Sequence, residues 1–175
     1  AGAIGGYLGA HLSRAGVDVS LIARGPHLRA IRENGLTLRE GDGEIKVRLP
    51  CSDNPADFSF QDYVIVSVKA HAVPGIAPRM APLLGPKTAV VPATNGVPWW
   101  YFYKIGSELD GRRIKILDPE GIQWKHIGPE RVIGCVIYPA AEIVEPGVIQ
   151  HVALNRVPLG EPDGSRTDRV TALSD

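Results

Sequence analysis

Read only for the spacing of apolar and polar residues, the chain switches between a helical and a strand-like period. Ile4, Leu8 and Leu12 recur at helical spacing and Gly16 supplies a stop, so a helix is expected from Gly2 to about Ala15 with those three on one face. Val17, Val19 and Leu21 then alternate with polar neighbours, which predicts a strand ending near Ala23. Pro26 opens a second short helix, "PHLRAIREN", closed by Gly35. "LTLREGDGEIKVRL" is two alternating runs around "GDG" and reads as a hairpin. "DYVIVSVKA" is almost continuously apolar, as expected of a strand covered on both faces. "VPGIAPRMAPLL" carries a helical pattern against the opposition of its three prolines. "KTAVVPA" is a short buried strand, "WWYFY" is expected to lead into a further helix, and "RVIGCVIY" and "GVIQHVAL" read as late strands. Strand–helix–strand alternation of this kind predicts a parallel α/β sheet.

Composition narrows the class. Of the 175 residues, 44% are apolar and 22% charged, a soluble globular profile. Basic and acidic residues balance at 19 each, so nothing favours a nucleic-acid or acidic-membrane partner. No apolar run approaches the ~18–20 residues of a membrane span. Cys51 and Cys135 stand alone, without the spacing of a disulfide framework or a zinc site. Both are expected as small, partly buried side chains in a reducing, cytoplasmic setting, and no metal site is expected.

The opening, "AGAIGGYLGA", carries the candidate chemistry. In dinucleotide-binding βαβ units a G-x-G-x-x-G turn joins the first strand to a helix. Its first glycine makes the turn, its second admits the pyrophosphate and its third lets helix and strand pack closely. Gly2 and Gly5 have the spacing of the second and third. The first would precede Ala1, as would the strand before it, so the chain is expected to be a piece of a longer polypeptide. Arg24 falls about 20 residues on, where an acid would hold the ribose 2′-hydroxyl of NAD. An arginine offers a planar fork of donors suited to a 2′-phosphate, which favours NADP.

With "GAIGGYLGA", "SLIARG", "VSVKA", "TNGV" and "AAEIVEPGVIQH" in this order, the chain resembles the ketopantoate reductase (2-dehydropantoate 2-reductase) family from Gly2 to about Gly160. The resemblance covers the family's N-terminal, cofactor-binding half. It implies a Rossmann-type, doubly wound, mostly parallel α/β sheet over residues 1–160, lacking most of its first strand. Residues 161–175 would then lead towards a C-terminal helical domain absent from this chain. Gly2, Ala3, Ile4, Gly5 and Gly6 match the family's pyrophosphate loop, Arg24 its 2′-phosphate arginine and Lys69 a lysine at the adenosine end. Asn95 matches an asparagine near the nicotinamide and the substrate, where it would orient the substrate or a catalytic lysine. Ala140 or Ala141 would give backbone contacts to the cofactor.

The implied reaction is NADPH-dependent reduction of a 2-keto acid, as in pantothenate biosynthesis. The general acid, a lysine, and a substrate-binding glutamate would lie in the C-terminal domain. The resemblance leaves room for a homodimer. Two other readings stand beside it: a dehydrogenase of the same fold with a different substrate, and a nucleotide-sensing domain without turnover. "PWWYFY" and "LDGRRIKILDPEGIQWKHIGPE" depart from the family pattern and bear on substrate choice. Trp99, Trp100 and Tyr101 read equally as core or interface packing. Tyr101 and Lys104 are three apart, not the four of a Tyr-x-x-x-Lys pair. His71 is a candidate crevice residue, and Glu120, Glu142 and Glu145 read as surface charges.

Overall fold

The structure, a computed structural model, describes residues 1–174. In chain order its elements are α1 (Ala3–Arg14), β1 (Leu21–Ile22), α2 (Gly25–Asn34), β2 (Leu36–Glu40), β3 (Gly43–Val47), β4 (Cys51–Ser52) and β5 (Tyr63–Val66). There follow α3 (Val73–Ile76), β6 (Ala89–Pro92), α4 (Ile122–His126), β7 (Gly134–Cys135), β8 (Ala140–Glu145), β9 (Val148–Ala153), β10 (Leu159–Gly160) and α5 (Asp168–Ser174). They fall into two compact units. One is Ala1–Phe58 with Tyr138–Arg156, and the other is Ser59–Ile137 with the chain from Val157 onward.

In the first unit the expected hairpin forms. β2 and β3 pair antiparallel from Leu36↔Val47 to Glu40↔Gly43. β2 also pairs in parallel with β9, and β9 antiparallel with β8, giving a four-stranded sheet in the order β3-β2-β9-β8. β1 and β4 form a separate parallel pair, Leu21↔Cys51 and Ile22↔Ser52. Tyr7, Ala10, Leu21, Leu28, Ile31, Leu36, Leu38 and Ile149 make the core. Each large aliphatic side chain buried there contributes about 1.5–3 kcal/mol.

The inward face of α1 is not the Ile4–Leu8–Leu12 stripe, whose members are half-buried. It is Gly6, Tyr7, Gly9 and Ala10. A Cβ on Gly6 would lie 2.8 Å from Ile149 Cγ1, and one on Gly9 3.0 Å from Leu21 Cδ2. Small residues let the helix axis approach the strands, and that close packing decides which face turns inward. The strand expected from Val17 is also shorter, only Leu21–Ile22.

The second unit is built on β5 and β6, parallel from Tyr63↔Ala89 to Val66↔Pro92. Alternate residues of β6 enter different cores. Val90 packs with Val66, Met80, Trp99 and Val132 on one face, while Ala89 and Val91 pack with Ile133 and Val170 on the other. β5 alternates likewise, Val64 and Val66 on the first face and Tyr63 and Ile65 on the second, the two-sided burial that its continuous apolar run requires. A bridge between Val90 and Val132 attaches the chain leading to β7, and β7 pairs antiparallel with β10.

Two helix expectations fail here. "VPGIAPRMAPLL" gives one turn of α3 and then a 3-10 stretch, Ala77–Leu83, with Pro82 inside it. Its prolines cannot donate the i→i−4 bonds of a longer helix. "WWYFY" is a run of turns in which Tyr103 N donates to Trp100 O, Gly111 N donates to Phe102 O and Lys104 takes a φ of 56°. The next α-helix among the described residues is the short α4, entered through a 3-10 turn at Pro119–Gly121. Among the described residues no helix is long and apolar enough to cross a membrane, and no group of His, Cys, Asp and Glu could hold a metal ion.

Candidate cofactor site

The glycine turn sits in the first unit, at the carboxyl end of β1. Ala1 N donates to Ile22 O, which places the turn beside that strand end. Gly2 is the N-cap of α1, in extended backbone with φ −108°, and the first helical bond is Gly6 N to Gly2 O at 2.8 Å. The amides of Ala3, Ile4 and Gly5 therefore precede the ladder, as the opening amides of any helix do. No acidic residue lies in the first turn of α1 and no side chain caps it. A Cβ on Gly2 would meet nothing within 4 Å, whereas Gly6 is pressed against Ile149. Open space on one side and close helix–strand packing on the other are what an anion site at a helix N-terminus needs.

Arg24 lies two residues past β1 and is the N-cap of α2. Its side chain is exposed, and its guanidinium makes no hydrogen bond or ion pair among the described residues. Three residues on, His27 Nδ1 accepts a hydrogen bond from Gly147 N at 3.0 Å, tying the first turn of α2 to the β8–β9 turn. Burial holds the His27 imidazole below its ordinary pKa, in keeping with an acceptor nitrogen. Sequence reasoning missed this contact, because its partner is 120 residues away. Ala140 and Ala141 lie in β8 with a register shift between them, opposite Ala153 and His151, so their main chains belong to the sheet.

Lys69 and Asn95 lie in the second unit. Lys69 is exposed three residues past β5, at its carboxyl end, and caps a short 3-10 turn, Ala70–Ala72, that contains the exposed His71. Asn95 is exposed three residues past β6. Its Nδ2 donates to Ile137 O at 2.7 Å and its Oδ1 accepts from Ile137 N at 2.9 Å. Nothing in the sequence pairs residue 95 with residue 137. Trp99 is buried and meets Trp124 edge-on with ring centroids 5.9 Å apart. Tyr101 is exposed. Glu120, Glu142 and Glu145 are exposed, as surface charges are expected to be.

Neither thiol offers a nucleophile. Cys51 is buried and raised by that burial, and burial pushes Cys135 up to about 11. Both stay protonated at neutral pH.

The sequence profile described as ketopantoate reductase PanE/ApbA matches residues 1–164. A curated 2-dehydropantoate 2-reductase of Mesorhizobium japonicum is 49% identical over 176 residues, covering all of this chain and 54% of the relative. A crystal structure from Ralstonia solanacearum MolK2, described as a candidate ketopantoate reductase, superposes with a TM-score of 0.93 at 40% identity over 99% of this chain and 54% of the other. A 2-dehydropantoate 2-reductase structure from Geobacter metallireducens GS-15 gives 0.78 at 28% identity over 99% and 51%. The chain thus spans about half the length of the relatives it matches. By its profile match and by its fold, the chain belongs to the ketopantoate reductase PanE/ApbA family.

Proposed function

We propose that the protein reduces a 2-keto acid with NADPH, and that this chain supplies the cofactor-binding half. The observation that carries the reading is the glycine turn Gly2–Gly6 opening α1 at the carboxyl end of β1, with the exposed Arg24 two residues past the end of the same strand. Amides ahead of the helical ladder suit a pyrophosphate, and the absence of an acid in the first turn leaves nothing to repel it. Arg24 would take the 2′-phosphate through its fork of donors. Lys69 adds a second cation for the adenosine end, and Asn95 would stand at the nicotinamide and substrate end. These roles follow the family motifs residue by residue.

NADPH, when bound, supplies the hydride that reduces the keto carbon. The chain's own part is to bind and orient: in the first unit the turn and Arg24 would take the pyrophosphate and the 2′-phosphate, and in the second the stretch past β6 that carries Asn95 would set the reacting end. Residues 1–160 form the cofactor domain in this reading. The segment from 161 leads to a helical domain that provides the general acid.

The test is NADPH consumption by the purified full-length protein on addition of ketopantoate and a panel of other 2-keto acids. Keto-acid-dependent oxidation is expected. NADPH binding without turnover on any of them would overturn the reading in favour of a sensing role, and turnover only on a polyol phosphate would favour a different dehydrogenase.

A further inference from the structure

We propose that Asn95 is a positioning residue whose carboxamide takes the place of a stretch of β-ladder, holding the main chain at Ile137 against the exit of β6. The proposal rests on the reductase reading for its catalytic consequence and on geometry for the contact itself. In β6 the odd-numbered residues face β5: Ala89 N donates to Asp62 O and, just past the strand, Ala93 N donates to Val66 O. The even-numbered residues face the chain entering β7, where Ile133 N donates to Val90 O at 2.9 Å. The next even residue is Pro92, which has no N–H to give, so the ladder loses its next donor there.

On the other strand the odd-numbered residues face β6, while Val136 N turns the opposite way to Pro158 O. Ile137 therefore presents its N–H and its carbonyl on the side where β6 has run out. Asn95 fills both. Its Oδ1 accepts from Ile137 N at 2.9 Å and its Nδ2 donates to Ile137 O at 2.7 Å.

A backbone amide is matched by a side-chain amide, donor to acceptor and acceptor to donor. The partners also fix which way the carboxamide faces, because the reverse orientation would oppose two donors and two acceptors. The exposed Gly96, at φ 116°, follows at once and turns the chain away. The clasp thus sets where the "TNGV" turn stands at the carboxyl end of the parallel strands. That is the end where ligands bind in open α/β sheets.

The experiment uses the full-length protein in three forms besides wild type: Asn95→Ala, an ester in place of the Ile137 amide, and both together. The ester removes the Ile137 N–H while keeping the side chain. Hydrogen exchange at the Ile137 amide reads the clasp directly and needs no turnover. Asn95→Ala should speed it about tenfold or more, as expected for one lost hydrogen bond in a locally ordered segment. In NADPH-dependent turnover, Asn95→Ala should lower kcat by up to about a hundredfold through misplacement of the reacting end. The ester should lower it in the same direction, and the double form should be no worse than Asn95→Ala alone, since both break one contact.

Equal exchange rates in wild type and Asn95→Ala would overturn the proposal. So would a large loss of kcat in Asn95→Ala with none from the ester, which would make Asn95 a direct substrate contact. A wild type that shows the exchange contrast but no turnover would overturn the reductase reading and leave the clasp established.

Discussion

His27 shows how one side chain can couple two elements and carry a pH dependence. Its Nδ1 accepts from the amide of Gly147, a residue held at φ 82° in the Pro146–Gly147 turn. Burial lowers its pKa from the ordinary 6.5, so the folded protein favours the neutral ring. Below that ordinary value the unfolded chain binds a proton that the folded protein resists. The stability contributed by the neutral contact is therefore complete above about pH 6.5 and lost as the pH falls through the lowered folded value. Thermal melts from about pH 7.5 down to about pH 5 should show a declining Tm, with a shallower decline in His27→Gln. Equal slopes would remove His27 from that role. The histidine was visible in "GPHLRAIREN" as part of a helix, but its function depends on a turn 120 residues away that local pattern does not reach.

Among the elements, α5 shows how a short helix is held. Arg169 Nε donates to Glu161 Oε1 at 2.7 Å and its Nη2 to Glu161 Oε2 at 2.6 Å, a bidentate pair. Its remaining donors reach Glu130 O and Val132 O, and Tyr63 Oη donates to the Arg169 carbonyl. The Glu161 side chain is only 6% exposed, and the Arg169 hydrogen bonds hold its carboxyl below the usual range. Removing the partner of a buried charge costs on the order of 3–5 kcal/mol, the upper part of that range applying to full burial. Arg169→Ala should therefore lower Tm by many degrees, whereas Arg166→Ala, on an exposed loop, should change it little. Matching melts for the two would show that the pair does not anchor α5.

Which elements could be read in advance follows from burial. The β2–β3 hairpin has strong alternation and β5 and β6 have continuous apolar runs, and the hairpin and both strands form within the stretches that carry those patterns. β8 was not foreseen as a strand, because "AAEIVE" has no buried residue to betray it and is held by main-chain pairing with β9. The 3-10 stretch after β5 was a matter of weighing apolar spacing against prolines, and the prolines prevailed.

For the molecule as a whole, the short motifs of the candidate cofactor site are easier to read in the sequence than the sheet that carries them. The glycine turn, Arg24 and Lys69 could all be picked out from short stretches, because each depends on a neighbouring strand end. The pairing of β2 with β9 joins residues more than a hundred positions apart and has no local signature. The Asn95 clasp is legible only once Pro92 and Ile137 are seen on adjacent strands. The central claim is that the chain binds NADPH through the turn and Arg24. It is tested most directly by titrating NADPH and NADH into the full-length protein, wild type and Arg24→Ala, and following fluorescence. A charge-assisted phosphate contact contributes about 1.5–3 kcal/mol, so wild type should prefer NADPH by about tenfold or more. Arg24→Ala should lose most of that preference by weakening NADPH while leaving NADH nearly unchanged. Equal affinities in wild type, or a preference that survives Arg24→Ala intact, would contradict the account.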